Sequence, residues 1–165
     1  MRRRGYFGVG IYQPKISSNV GTLLRTANSL GAALVFTIGR RYMHQCTDTM
    51  STEKHVPLYH YETFEDFQQH RPHGAPLVAV ELDDRAVMLT KDFVHPERAI
   101  YLLGAEDNGL PREVLAHCNH ILQLHGERCL NVSVAGSIVL HDRVAKEYEH
   151  VQLNIEKGSA NEDHQ

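Results

Sequence analysis

The chain has 165 residues, 42% of them hydrophobic, which suits one domain with a real core and excludes global disorder. Its formal charge of -3 argues, as a total, against a nucleic-acid binder, yet residues 1–41 carry seven basic residues (Arg2, Arg3, Arg4, Lys15, Arg25, Arg40, Arg41) and no acid, leaving 10 basic and 20 acidic residues behind them. No apolar run approaches the roughly 20 residues of a membrane span, the Met1–Arg4 start is unlike a signal peptide, and three cysteines (Cys46, Cys118, Cys129) with no CxxC pair point to free thiols in a cytoplasmic chain.

In chain order, Tyr6–Tyr12 is β-prone and stops at Gln13-Pro14. Asn19–Leu30 reads as a helix, since Val20, Leu23, Leu24, Ala27 and Leu30 recur every three or four residues. Ser17 or Ser18 is placed to cap it, and Gly31 to end it. Ala33–Ile38 is an unbroken apolar run between glycines, as in a buried parallel strand. Leu58–Tyr61 is a short strand. Thr63–Gln69 is a short helix with Thr63 and Asp66 as a capping-box variant. Leu77–Leu82 and Ala99–Leu103 are strands, Pro111–His117 is a helix with Pro111 as its first residue, and Ile121–Leu124 is extended. Asn131–Glu149 is a helix that grows more charged along its length. Residues 1–150 form the domain, and 151–165 a polar, acidic, poorly ordered tail. The alternation implies an α/β fold with a mostly parallel sheet and helices on both faces. Ligands of such sheets gather at the strands' carboxyl ends, here Gly39–Glu53, Asp83–Pro96, Gly104–Leu110 and His125–Leu130.

Gly5, Gly8 and Gly10 are no dinucleotide fingerprint, because they precede or lie inside the first strand, and there is no phosphate-binding GxxxxGK[ST]. Three other segments carry chemistry. Asn19-Val20-Gly21 through Arg25 opens a helix, with a capped, solvated helix as its plainer reading. Leu103-Gly104-Ala105-Glu106-Asp107-Asn108-Gly109-Leu110-Pro111 follows a strand and puts Glu106 at the ligand edge; its plainer reading is ordinary turn chemistry. Cys129-Leu130-Asn131-Val132-Ser133-Val134-Ala135-Gly136-Ser137 starts a helix with small residues that suit close packing or a ligand. Twelve histidines lack the spacing of a metal site, including His117 with His120 and His141 beside Asp142.

Taken in order, NxGxxxR, LGxExxGLP and LNVSVA resemble the three motifs of the SpoU/TrmH-like RNA methyltransferases of the SPOUT superfamily, from about Tyr6 to Arg143. The resemblance implies a C-terminal trefoil knot and a homodimer with its RNA site across two subunits. It implies S-adenosylmethionine as cofactor, held at Val80, Glu81 and Leu82; at Leu103, Gly104, Glu106 and Gly109; and at Leu124, His125, Gly126, Cys129, Leu130 and Ala135, mostly through backbone groups. Arg25 then attends the reacting ribose hydroxyl, with Asn19, Glu106 and Asn131 positioning it. Arg2, Arg3, Arg4, Arg25, Arg40 and Arg41 face RNA, tRNA or rRNA. Many relatives carry Ser where this chain has Cys129, and the loop before it lacks their Ile-Pro. The implied activity is ribose 2'-O-methylation. Base methylation on the same fold, or an RNA-binding module without catalysis, are the alternatives.

Overall fold

The computed structural model describes residues 5–42, 55–126 and 128–162, with side chains as far as residue 149; Arg2, Arg3, Arg4 and Cys46 lie outside them. Seven strands make one sheet: β1 (Tyr6–Tyr12), β2 (Leu34–Ile38), β3 (Leu58–Tyr61), β4 (Leu77–Val80), β5 (Val87–Met88), β6 (Arg98–Leu103) and β7 (His120–Gln123). Their order is β3-β2-β1-β6-β4-β7-β5, and each pairing is parallel. Helices α1 (Ser17–Leu30) and α4 (Val132–Glu162) pack together against one face, and α2 (Phe64–His70) and α3 (Arg112–Ala116) cover the other.

The unbroken apolar runs follow from burial on both faces. Along β6, Ala99, Tyr101 and Leu103 join Phe7, Val9, Ile11 and the α1/α4 residues Leu23, Leu24, Val139 and Leu140. Ile100 and Leu102 alternate to the other side and join Phe36, Ile38, Phe64 and Phe67. The glycines of β1 fit this layering: a Cβ on Gly10 would lie 2.5 Å from the Phe36 ring. They make room for a core and hold no phosphate.

Several boundaries differ from the sequence reading for physical reasons. Helix α1 begins at Ser17, and its N-cap is Ile16, which offers no side-chain acceptor. Ser17 and Ser18 therefore lie inside the first turn and cap nothing. Pro111 has extended ψ (150°) and is the N-cap of α3, one residue before the helix. β4 stops at Val80, which frees Glu81 and Leu82 for the loop. The two-residue β5 gave no periodicity to read. Helix α4 continues past Glu149 to Glu162. Gly31 ends α1 with φ 75°, and the Thr63 hydroxyl accepts from the Asp66 N–H at 3.1 Å, both as the sequence implies.

Candidate active site

The three motif segments meet in one hydrogen-bonded clasp. Asn131 Nδ2 donates to Asn19 Oδ1 at 3.0 Å, and Asn19 Nδ2 donates to Glu106 Oε1 at 2.8 Å. Asn19 is buried, so the amide that joins its neighbours is shielded from water. Glu106 also accepts from the Lys15 N–H at 3.0 Å and the Ile16 N–H at 3.2 Å. Its carboxylate thus ties the loop after β6 to the two residues that lead into α1, beside the positive end of the helix. Burial alone would raise the Glu106 pKa, but the Asn19 amide and these N–H groups outweigh it and hold the carboxyl below its usual range. Lys15 Nζ pairs with Asp107 and clips the same two segments together. Asn131 Oδ1 caps α4, accepting from the Ser133 N–H at 2.9 Å and the Ser133 hydroxyl at 2.7 Å. Ser133 is buried, and it locks the cap in place.

Beside the clasp runs an open groove with a cavity of about 90 Å³. Val80, Glu81 and Leu82 form one wall, and Leu124, His125, Cys129, Leu130 and Ala135 form the other, all of them expected from sequence; Arg128 joins them and was not. Leu103, Gly104 and Gly109 do not line it. They shape the loop behind it: a Cβ on Gly104 would lie 2.5 Å from the Gly109 Cα and 2.6 Å from the Leu110 nitrogen. Gly126 has an open side, with only the Arg128 carbonyl within contact of an added Cβ. The lining fits S-adenosylmethionine: Leu82, Leu124, Leu130 and Ala135 offer apolar faces for a flat ring, and Glu81 and Arg128 offer charges opposite to those of a zwitterion with a sulfonium. Groove and clasp share their segments, since Asn131 lies between Leu130 and Ala135.

Arg25 is exposed on α1 and takes no part in the clasp of its own chain. It stands six positions after Asn19, about 120° from it around the helix. Arg40 and Arg41 follow Gly39, whose φ of 83° turns the chain at the carboxyl end of β2. Sequence reasoning missed two groups. Lys15 was counted only as charge, although the Gln13-Pro14 break places its N–H at the mouth of α1. The side-chain role of Glu81 had no local signal, because its partner Leu110 is distant in sequence.

Residues 7–141 match the SpoU rRNA Methylase family. The chain is 30% identical to the tRNA (cytidine(34)-2'-O)-methyltransferase of Ancylobacter novellus, over 80% of this chain and 87% of that one. A solved structure described as "Structural insights into the 2-OH methylation of C/U34 on tRNA" is 27% identical, with TM-score 0.71 over 85% of this chain and 95% of that one. The AdoMet-bound rRNA methyltransferase from Sinorhizobium meliloti shares the fold at 23% identity and TM-score 0.73, covering 85% of this chain and 56% of that chain.

Proposed function

This chain belongs to the SpoU rRNA Methylase family, and we propose that it transfers a methyl group from S-adenosylmethionine to a ribose 2'-hydroxyl of tRNA. The observation that carries this reading is the Glu106–Asn19–Asn131 clasp, which joins all three motif segments beside the groove. The tRNA substrate is inferred from the activities named for the relatives.

When bound, the cofactor supplies an electrophilic methyl group on a sulfonium; the protein holds the alcohol and manages its proton. Glu106 is poorly suited to accept that proton, because its carboxylate is committed to three donors and held ionised. It positions the loop after β6 against α1. Asn131 fixes the start of α4 at the groove. Arg25 does not act as a base, since a guanidinium hardly deprotonates. It stabilises the developing alkoxide and clamps the adjacent phosphate.

That role for Arg25 supports a homodimer. Arg25 is exposed and makes no bond to the clasp of its own chain, and on this reading a second copy brings it to the groove. Helix α4 and the segment before it carry an apolar stripe at four-residue spacing that such a copy would cover: Leu130, Val134 and Ile138, each more than 40% exposed. The return of β7 to pair with β4, after β6 has taken the other edge of that strand, accords with the trefoil knot the resemblance implies. A tRNA substrate supports a cytoplasmic location, and no helix among the described residues is long and apolar enough to cross a membrane.

Calorimetry with S-adenosylmethionine and radiolabel transfer to bulk tRNA test the reading. Incorporation into linkages that resist alkaline cleavage is the expected result. Alkali-sensitive product would assign base methylation instead, and tight RNA binding without incorporation would leave a non-catalytic module. Arg25→Ala should keep cofactor affinity and lose turnover by at least a hundredfold, the scale of removing one donor to a developing oxyanion.

A further inference from the structure

We propose that the Glu81 carboxylate makes the groove select the cationic sulfonium cofactor over the neutral thioether that methyl transfer leaves behind. The inference rests on the methyltransferase reading above. It starts at the end of β4, where the Glu81 N–H still bonds the Leu122 carbonyl of β7 at 3.0 Å and its side chain lines the groove. The carboxylate is then fixed twice. Oε2 accepts from the Leu110 N–H at 2.7 Å, and Oε1 accepts from the Leu82 N–H at 3.0 Å. Gly109, at φ 61°, turns a face without a side chain toward it, and an added Cβ there would overlap the carboxylate.

Two backbone bonds leave each oxygen with a free lone-pair direction and little freedom to swing away. The other carboxylates nearby are committed: Glu106 to the clasp, Asp107 to Lys15. Glu81 is the acidic side chain among the described lining residues, and Arg128 is the basic one.

Methyl transfer removes one positive charge from the ligand, turning S-adenosylmethionine into S-adenosylhomocysteine. A fixed carboxylate on the wall holds the first form more tightly than the second. Across a partly solvated groove, one unit charge acting on another changes affinity by about tenfold. The groove therefore releases product because of chemistry that the reaction itself completes.

The test is titration calorimetry of the intact protein with S-adenosylmethionine, S-adenosylhomocysteine and sinefungin, whose amine carries positive charge where the cofactor has its sulfonium. Glu81→Gln should lower the ratio of cofactor to product affinity about tenfold, and lower sinefungin affinity in parallel. Glu81→Asp, which keeps the charge and shortens the reach, should weaken all three ligands and leave the ratio within about twofold of wild type. A loosened loop would weaken the ligands together and leave the ratio alone, so the ratio separates charge from structure. In the wild type, the ratio should fall as salt rises, a measurement that needs no variant to fold. A ratio unchanged in Glu81→Gln, or independent of salt in the wild type, overturns the proposal. Wild-type protein that binds none of the three overturns the methyltransferase reading itself.

Discussion

Asn19 shows how much one amide can organise. Its Oδ1 takes the Asn131 donor, its Nδ2 serves Glu106, and both partners belong to segments far along the chain. Asn19→Ala removes both bonds, leaving the Asn131 donor to solvent and Glu106 Oε1 with the Ile16 N–H alone. Denaturant unfolding should show a loss of about 1–3 kcal/mol, and turnover should fall with it, because the start of α4 is no longer tied to α1. All three members of the clasp were legible, since each stands at a fixed place in a motif that also marks a helix start or a strand end. That Glu106 ties down the entry to α1 was not legible, because its bonds cross from one segment to another. The Ser17/Ser18 expectation failed for a local reason: α1 already begins at Ser17, so both serines lie in its first turn and the N-cap position falls on Ile16.

The helices hold these residues by means the sequence showed only in part. Helix α4 is anchored to the amino end of β6 by a buried polar cluster that no motif announces. His95 Nδ1 lies 2.6 Å from the Tyr101 hydroxyl, and its Nε2 lies 2.8 Å from Asp142 Oδ2. Asp142 also accepts from Lys146, and Arg143, fully buried, donates to the Tyr101 hydroxyl and to the Pro96 and Glu97 carbonyls. A neutral imidazole satisfies this set: Nε2–H donates to Asp142, and Nδ1 accepts from Tyr101. A protonated one would leave the Tyr101 proton without an acceptor. Burial accordingly lowers the His95 pKa, against the pull of Asp142, and pushes Tyr101 up to about 12. The unfolded chain takes up its proton near pH 6.5 and the folded chain only at lower pH. Stability should therefore decline as pH falls below that value and level off once His95 protonates in the fold. Thermal melts between pH 7.5 and 5 check this, and His95→Asn should flatten the His95-dependent part of the curve. Periodicity located α4 readily, but not this cluster, which joins residues drawn together only by the strand order.

At the scale of the whole molecule, the charge split acquires a location. Gly39 delivers Arg40 and Arg41 to the same edge of the sheet as the motif loops. Arg41 meets Glu62 at 3.9 Å with both side chains largely exposed, a pair too weak to withhold it from RNA. Replacing Arg40 and Arg41 with Ser should weaken RNA binding and reduce its salt slope by about two, leaving cofactor affinity intact; filter binding across a salt series measures both. Fold class was legible at this scale, since unbroken apolar strands alternating with amphipathic helices admit few other architectures. Strand order was not, because periodicity says which face of a strand is buried and nothing about its neighbour.

That order has a consequence in time. The central pair of the sheet joins β1 to β6, matching Tyr6 with Arg98 and Ile11 with Leu103. During synthesis from the amino end, β1 is complete after Tyr12 and its β6 partner only after Leu103. At about 5–20 residues per second, that interval is on the order of ten seconds. Throughout it, Phe7, Val9 and Ile11 have no finished core to enter, because α4 and β6, which cover them, are still unmade. The nascent chain carries β1, with its buried Phe7, Val9 and Ile11, as an open edge until β6 is made. The Glu106–Asn19–Asn131 clasp, which waits for Asn131, is among the last contacts to close.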